Sequence, residues 1–135
     1  MEQSVKELVR EMTLASDQER LPFPEIVRSL MEAGVERYYA DMLTSTRIYY
    51  LADGSWESVQ CQQYPNPAMT FSAAGIEQAI RASQSQEIRY REFCKRIAQA
   101  GCVGYFVSLA GKRAVYFGRS CDMHVEWFPG AKPEN

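Results

Sequence analysis

The 135-residue sequence predicts an α+β fold in which an antiparallel sheet of about six strands is packed by about four helices. Three observations support this prediction. Apolar residues recur at helical spacing in four segments, and six short segments are rich in β-branched and aromatic residues. Glycine-containing turns separate these segments. A helix–glycine–aromatic strand pattern also occurs twice, which is compatible with two pseudo-repeated halves of one helix and three strands each.

The first half of the chain begins with a helix over residues 4–16, for which Ser4 and Glu7 form a capping box. Pro24 suits the first turn of a second helix, and Gly34 terminates that helix. Strands are predicted over 35–42, 46–51 and 55–61. The Asp53-Gly54 pair is a typical hairpin signal between the last two of these strands.

The second half follows an extended loop over residues 62–67, QQYPNP. Thr70 or Ser72 caps a third helix, and Gly101 terminates a fourth. Strands are predicted over 103–109, 113–117 and 122–128. The fourth helix carries a regular apolar stripe that is expected to face the core: Tyr90, Phe93, Cys94, Ile97 and Ala98.

Residues 23–39 match residues 90–106 at a constant offset of 67, with Ala33-Gly34 aligned to Ala100-Gly101. If one residue is deleted, the match continues from RIYY at 47–50 to RAVY at 113–116, which aligns Arg47 with Arg113. The chain is therefore interpreted as one domain over 1–129, with halves at about 22–61 and 89–128. Residues 130–135 are expected to be a loose tail.

Composition predicts a cytoplasmic protein without a membrane segment. Apolar runs are only a few residues long, and the charged N-terminus lacks the features of a signal peptide. The four cysteines form no CxxC pair and are expected to be reduced. The net charge of −2 is unevenly spread: residues 1–77 sum to −6, residues 78–119 to +6 and residues 120–135 to −2. Such asymmetry can guide self-association or partner choice.

The last strand carries the only histidine. Alternation predicts that Met123, Val125 and Trp127 face the core, so that His124 and Glu126 lie on the opposite, polar face. If Val115 and Phe117 also face the core, Tyr116 lies on that polar face near His124. This trio can act as a general acid–base group, or it can be a solvated sheet face. A polar cleft between the halves would be lined by Arg47, Gln84, Tyr90, Arg113, Tyr116, His124 and Glu126.

The sequence gives only weak indications of a reactive cysteine, a metal site or nucleic-acid binding. Cys94 lies within an apolar stripe and is expected to pack rather than react. Cys121 and His124 alone are too few ligands for zinc, so neither a metal nor a cofactor is predicted. Nucleic-acid binding is disfavoured by the pI of about 5.5. Base stacking would use Tyr38, Tyr49, Tyr105 and Phe106, with charges from Arg89, Arg91, Lys95, Arg96, Lys112, Arg113 and Arg119.

The chain also resembles the YbcV-like family of uncharacterised bacterial proteins, some of which carry the label "phage envelope protein". The resemblance covers about residues 22–129. It includes Ala33-Gly34-Val35, Tyr38 and Asp53-Gly54 in the first half. In the second half it rests on Gln84, Tyr90, Phe93, Cys94, Gly101, Glu126 and Pro129. The sequence departs from the family pattern at Gly104, Tyr105 and Gly118, where Lys, Trp and Asp are expected. The resemblance implies a fold and a bacterial or prophage source, without an activity.

The sequence thus favours a small, non-catalytic binding or interaction protein that can form a homodimer. Its partner is then a protein or a small molecule. The first alternative is a small-ligand-binding protein or enzyme that uses a polar cleft between the halves. The second is a nucleic-acid-binding protein.

Overall fold

The computed structural model describes residues 1–134 and confirms the α+β fold. Each half supplies two helices followed by a three-stranded meander. The first half contains α1 (Gln3–Asp17), α2 (Phe23–Glu32), β1 (Val35–Asp41), β2 (Thr46–Leu51) and β3 (Trp56–Gln60). The second contains α3 (Ala73–Gln84), α4 (Tyr90–Gln99), β4 (Gly104–Ser108), β5 (Arg113–Phe117) and β6 (Met123–Trp127).

The six strands form one antiparallel sheet in the order β3-β2-β1-β4-β5-β6. The helices pack against one face of this sheet, and the core lies between the two layers. Each helix buries one apolar stripe there, because its apolar residues recur at three- and four-residue spacing. Fully buried side chains in this layer include Val9, Leu30, Tyr49, Ile76, Ile97 and Val107. The other face of the sheet has no helix over it among the described residues.

The two halves are related by a pseudo-two-fold axis between β1 and β4. Tyr39 lies directly opposite Phe106 in the β1–β4 ladder, and these residues are 67 positions apart. On either side of them, Arg37 pairs with Ser108 and Asp41 pairs with Gly104. Since Gly104 is 67 positions after Arg37 and Ser108 is 67 positions after Asp41, each pair is the symmetry image of the other.

Backbone conformation repeats with the same offset. Positive φ angles occur at four pairs of positions that are 67 residues apart: Glu19 and Gln86, Gly34 and Gly101, Ser45 and Lys112, and Gly54 and Cys121. α1 and α3 likewise end at Asp17 and Gln84, which are also 67 apart. The repeat therefore extends beyond the predicted halves and includes a second helix in each.

The proposed one-residue deletion in the repeat is wrong. Ala40 pairs with Arg47 in the first half, and Val107 pairs with Ala114 in the second. Both members of the second pair lie 67 residues after their counterparts, so Arg47 corresponds to Ala114. Arg113 corresponds instead to Thr46. The similarity of the RIYY and RAVY letters arises because both strands are rich in aromatic residues.

The predicted faces of β5 and β6 are also wrong. Met123 and Val125 are 61% and 40% exposed, whereas Tyr116 is buried. Since Tyr116 pairs with His124 and Ala114 pairs with Glu126, these four residues face the helices. Their apolar neighbours on the strands lie on the uncovered face. Alternation separates two sets of side chains, but it identifies the core only when the other set is polar.

Two smaller predictions have different outcomes. Ser72 is the N-cap of α3, where its side chain accepts a hydrogen bond from the backbone N–H of Gly75 at 3.0 Å. Ser4 lies inside α1 rather than capping it, because the helix already begins at Gln3.

Within residues 1–134, no helix has the length and apolar character needed to cross a membrane. Of the predicted tail over 130–135, residue 135 lies outside the described residues.

The repeat provides a matched test of the helix-terminating glycines. Gly34 and Gly101 have φ angles of +88° and +86°, but only Gly101 is tightly enclosed: an added Cβ would meet the Thr70 carbonyl oxygen and lie 2.8 Å from Phe71 Cα. Gly34→Ala should cost about 1–2 kcal/mol for the left-handed conformation. Gly101→Ala should cost at least about 2 kcal/mol more, because the backbone at 70–71 must move. Urea denaturation of both variants measures the difference, and equal losses would contradict this packing.

Candidate functional site

The residues predicted to line a cleft lie in three different places. Arg47 and Tyr90 meet beneath the helices, in the centre of the molecule. A second group lies where α3 meets β6 at one edge of the sheet; it consists of Gln84, Tyr116, His124 and Glu126. Arg113 lies on the uncovered face of the sheet, where it stacks on Trp127.

The central group is a buried polar cluster around Arg47. We call it the Arg47 cluster; it consists of Asp17, Arg47, Tyr64, Tyr90 and Tyr105. The Arg47 Nη2 atom donates to Asp17 Oδ1 at 2.7 Å, to the Tyr90 hydroxyl at 2.7 Å and to the Tyr64 hydroxyl at 3.2 Å. The Tyr90 and Tyr105 hydroxyls are 2.7 Å apart. The cluster therefore connects α1, β2, the 61–72 segment, α4 and β4.

Arg47 is only 3% exposed, so its charge depends on this cluster for compensation. Asp17 supplies the opposite charge, and its second carboxylate oxygen accepts from the backbone N–H of Gln62 at 2.8 Å. The Arg47 Nε atom is buried without a hydrogen-bond partner in residues 1–134. Burial raises the pKa of Tyr90 and of Tyr105 well above the ordinary value, although the nearby guanidinium opposes this shift. Both hydroxyls therefore stay protonated and can donate.

The cluster occurs in only one of the two symmetry-related positions. Arg47 corresponds to Ala114, and Tyr90 corresponds to Phe23, which packs edge to face against Phe128 at a centroid distance of 5.8 Å. The polar position is closed by the 61–72 segment, whose Tyr64 is buried. The second position therefore lacks a buried charge: Ala114 is buried there, whereas Phe23 is 48% exposed.

The surface depressions in the described structure lie away from the Arg47 cluster. An open groove of about 850 Å³ on the outer side of α3 and α4 is lined by residues that include Glu77, Arg81, Gln84 and Arg96. A second groove of about 600 Å³ is lined by Thr70, Phe71 and other residues beside β6. Neither is lined by a member of the cluster, which is closely packed.

The second group is an ionic connection between α3 and β6. Arg81 donates to Glu126 at 2.9 Å and to Gln84 at 3.0 Å. His124 Nε2 lies 3.2 Å from Glu126 Oε1, and the His124 ring is 6.5 Å from the ring of Tyr116. Burial raises the pKa of Tyr116, so this phenol is not a base at neutral pH. Within residues 1–134, no group of three or more His, Cys, Asp or Glu side chains can hold a metal ion.

The uncovered side of the sheet, which we call the open face, has three rows of side chains across the six strands. The central row runs Ser58, Ile48, Tyr39, Phe106, Val115, Val125. One flanking row runs Trp56, Tyr50, Arg37, Ser108, Arg113, Trp127, and the other runs Gln60, Thr46, Asp41, Gly104, Phe117, Met123. The sequence analysis did not predict this surface. The feature that indicates it in the sequence is that β1, β2, β4 and β5 have apolar residues on both faces.

Arginine side chains cover part of the open face. The Arg37 guanidinium lies 4.2 Å from the Tyr50 ring centroid and 5.5 Å from that of Phe106. Tyr39 and Phe106 also contact each other, with centroids 4.6 Å apart. Of the four aromatic residues predicted to stack on nucleic-acid bases, Tyr38, Tyr49 and Tyr105 are buried under the helices. That prediction is therefore wrong for these three, and only Phe106 lies on the open face.

Comparison with known proteins identifies a domain in the second half of the chain. Residues 60–126, just under half of the sequence, match the family described as "Protein of unknown function (DUF1398)". The matched segment contains Tyr64, Tyr90 and Tyr105 of the Arg47 cluster, whereas Asp17 and Arg47 precede it. The match supports similarity to an uncharacterised family, and it does not confirm a YbcV-like or phage-envelope label. No curated protein matches the chain.

The Arg47 cluster makes a prediction about stability. Arg47→Met leaves the Asp17 carboxylate without its counter-charge and removes the donor shared by Tyr64 and Tyr90. Removing one partner of a buried ion pair costs roughly 3 kcal/mol or more, so the free energy of unfolding should fall by about that amount. The exposed Arg28 provides the control, since Arg28→Met should change stability by less than about 0.5 kcal/mol. Similar effects of the two substitutions in urea denaturation would contradict the buried cluster.

Cys94 predicts how stability depends on alkaline pH. Burial raises the pKa of this thiol from about 9 to about 12. The folded state therefore holds the proton more tightly than the unfolded state, and the resulting stability is complete below pH 9 and is lost as the pH rises toward 12. Between pH 8 and 10.5, the wild type should lose about 2 kcal/mol more than Cys94→Ala.

The exposed Cys121 is the matched control for this pH dependence. Cys121→Ala removes an exposed thiol and keeps Cys94, so it should retain the alkaline loss of stability that Cys94 contributes. Parallel stability curves for the wild type and Cys94→Ala over this range would contradict the assigned burial of Cys94.

Proposed function

We propose that the chain is a non-catalytic interaction protein that binds its partner through the open face. The main support for this proposal is the central row of the open face, which no helix covers in the described residues. Five of its six side chains are apolar, and these five belong to adjacent strands. Trp56 and Met123 are each 61% exposed in the flanking rows. A solvated sheet face is normally polar, so an apolar one marks a binding surface.

The size of the open face supports this proposal. Six strands spaced about 4.8 Å apart, each with five residues rising about 3.4 Å, give a plan area of roughly 500 Å². Ten of the eighteen positions in the three rows are apolar, so the apolar part is roughly 300 Å², a size at which patches on monomers are often functional. The stacked Arg37 and Arg113 side chains provide the charge that keeps such a surface hydrated before binding.

The chemistry of the buried groups supports a role without catalysis. A nucleophilic cysteine needs a depressed pKa and partial exposure, whereas burial raises the pKa of Cys94 to about 12. Glu126 contacts both His124 and Arg81 within the α3–β6 connection. Small-ligand binding at the Arg47 cluster is the second candidate function. It is favoured by the Arg47 Nε atom, which has no hydrogen-bond partner in residues 1–134, and it requires the 61–72 segment that closes the cluster to move before an oxyanion binds there.

The cellular setting of the proposed function rests on the sequence. We propose a cytoplasmic protein of bacterial or prophage origin that is related to the YbcV-like family. The motif residues Tyr90, Phe93 and Cys94 support the relationship, and four cysteines that form no disulfide within residues 1–134 are compatible with the location.

Val125→Lys tests the proposed function. Val125 is 40% exposed at one end of the central row, so a lysine there should leave the fold intact and place an unpaired charge in the interface. Leu14→Lys is the matched control, because Leu14 is 48% exposed on α1, away from the open face. The wild type and each variant are immobilised, and the proteins retained from cell extract are quantified, including further copies of this chain. Retention should be lost with Val125→Lys and kept with Leu14→Lys. Equal retention by all three would contradict the proposal.

A further inference from the structure

We infer that the partner of the open face is a second copy of this chain, with the two sheets packed face to face and the helices outside. This inference rests on the proposed function, because it assigns a partner to the same surface. The resulting dimer has four layers, in the order helices, sheet, sheet, helices, and its two sheets pack as in a β-sandwich.

The internal symmetry of the open face makes it suitable for self-association. The pseudo-two-fold axis exchanges the two flanking rows: Trp56 corresponds to Met123, and Tyr50 corresponds to Phe117. Both flanking rows therefore carry large apolar side chains on either side of the same apolar central row. A two-fold dimer places this surface against a copy of itself, so the apolar central row of one copy can pack on the apolar central row of the other.

Charge distribution selects one orientation of the two copies. The open face contains three charged residues, Arg37, Asp41 and Arg113. Suppose that the two-fold axis of the dimer runs along the central row. Each flanking residue of one copy then faces the second copy at the same strand, where it meets the residue of the opposite flanking row. Arg37 of each copy then lies opposite Asp41 of the other, which gives two symmetry-related ion pairs. Arg113 meets Phe117, whose ring can accept a guanidinium.

The other in-plane orientation is disfavoured by the same charges. An axis parallel to the strands places Asp41 opposite Gly104 and Arg37 opposite Ser108. The Asp41 carboxylate would then be covered without a counter-charge, which costs several kcal/mol. Asp41 also accepts hydrogen bonds from the backbone N–H groups of Leu43 and Thr44, at 2.9 and 3.2 Å. The carboxylate is thus held at the end of β1, within reach of the open face.

The available area is sufficient for a stable dimer. Two faces with a plan area of roughly 500 Å² each give about 1,000 Å², and the accessible area is larger because side chains project from both sheets. Specific interfaces bury about 1,200–2,000 Å² in total. Face-to-face packing uses the side chains of the edge strands β3 and β6 but not their free backbone edges, so that it does not lead to open-ended strand addition.

Charge reversal tests this inference. Sedimentation equilibrium of the wild type over the micromolar range should show a dimer. Arg37→Glu and Asp41→Arg each place like charges opposite each other at both pairs, so each variant alone should dissociate at least about 100-fold more readily. An equal mixture of the two variants should form a heterodimer, because Glu at position 37 then meets Arg at position 41, and Asp41 meets Arg37. Circular dichroism verifies the fold of each variant, since Asp41→Arg also removes the turn hydrogen bonds.

The contradicting outcomes separate this inference from the proposed function. A wild type that stays monomeric would overturn the inference, while retention sensitive to Val125→Lys would keep the proposed function with a different partner. A wild-type dimer that is unaffected by either charge reversal would overturn this packing. A monomer that binds a labelled single-stranded oligonucleotide in a way that Val125→Glu abolishes would assign the open face to nucleic acid and overturn the inference.

Discussion

The antiparallel ladder between β1 and β4 joins the two halves, and its register determines the rest of the arrangement. With Tyr39 opposite Phe106, the side chains of Tyr38 and Tyr105 point to the helices and those of Tyr39 and Phe106 point away. Shifting this ladder by one residue would exchange the two sets and place Arg47 out of reach of its partners. The register therefore defines the core, the open face and the pseudo-two-fold axis together.

Within this symmetric frame, the specific features of the chain are found where the halves differ. Ala114 is the counterpart of Arg47 and Phe23 is the counterpart of Tyr90, so the second position has neither the buried charge nor the hydroxyl of the first. The Arg47 cluster joins α1 and β2 of the first half to α4 and β4 of the second by hydrogen bonds. Such a network orients its members more strictly than an apolar core does, at the cost of a buried charge.

Much of the fold could be predicted from the sequence, because helix stripes and glycine stops are local signals. Gly34 and Gly101 indicated both the helix ends and the repeat. The faces of β5 and β6 could not be predicted, since Val115 and Val125 lie on a binding surface and are as apolar as core residues. Arg47 and Tyr90 were named as candidates, but their contact joins β2 of the first half to the start of α4 in the second, 43 residues along the chain. Asp17, Tyr64 and Tyr105 were missed for that reason, as no local pattern brings distant residues together.

The central claim is that the open face is covered by a second copy of the chain. The only two tryptophans, Trp56 and Trp127, both lie on this face, at opposite edges of the sheet. Acrylamide quenching of their fluorescence, measured against protein concentration, tests the claim most directly. Our account predicts that quenching decreases as the concentration rises through the dimerisation range, and that Val125→Lys shows no such decrease. Quenching that is strong and independent of concentration in the wild type would contradict it.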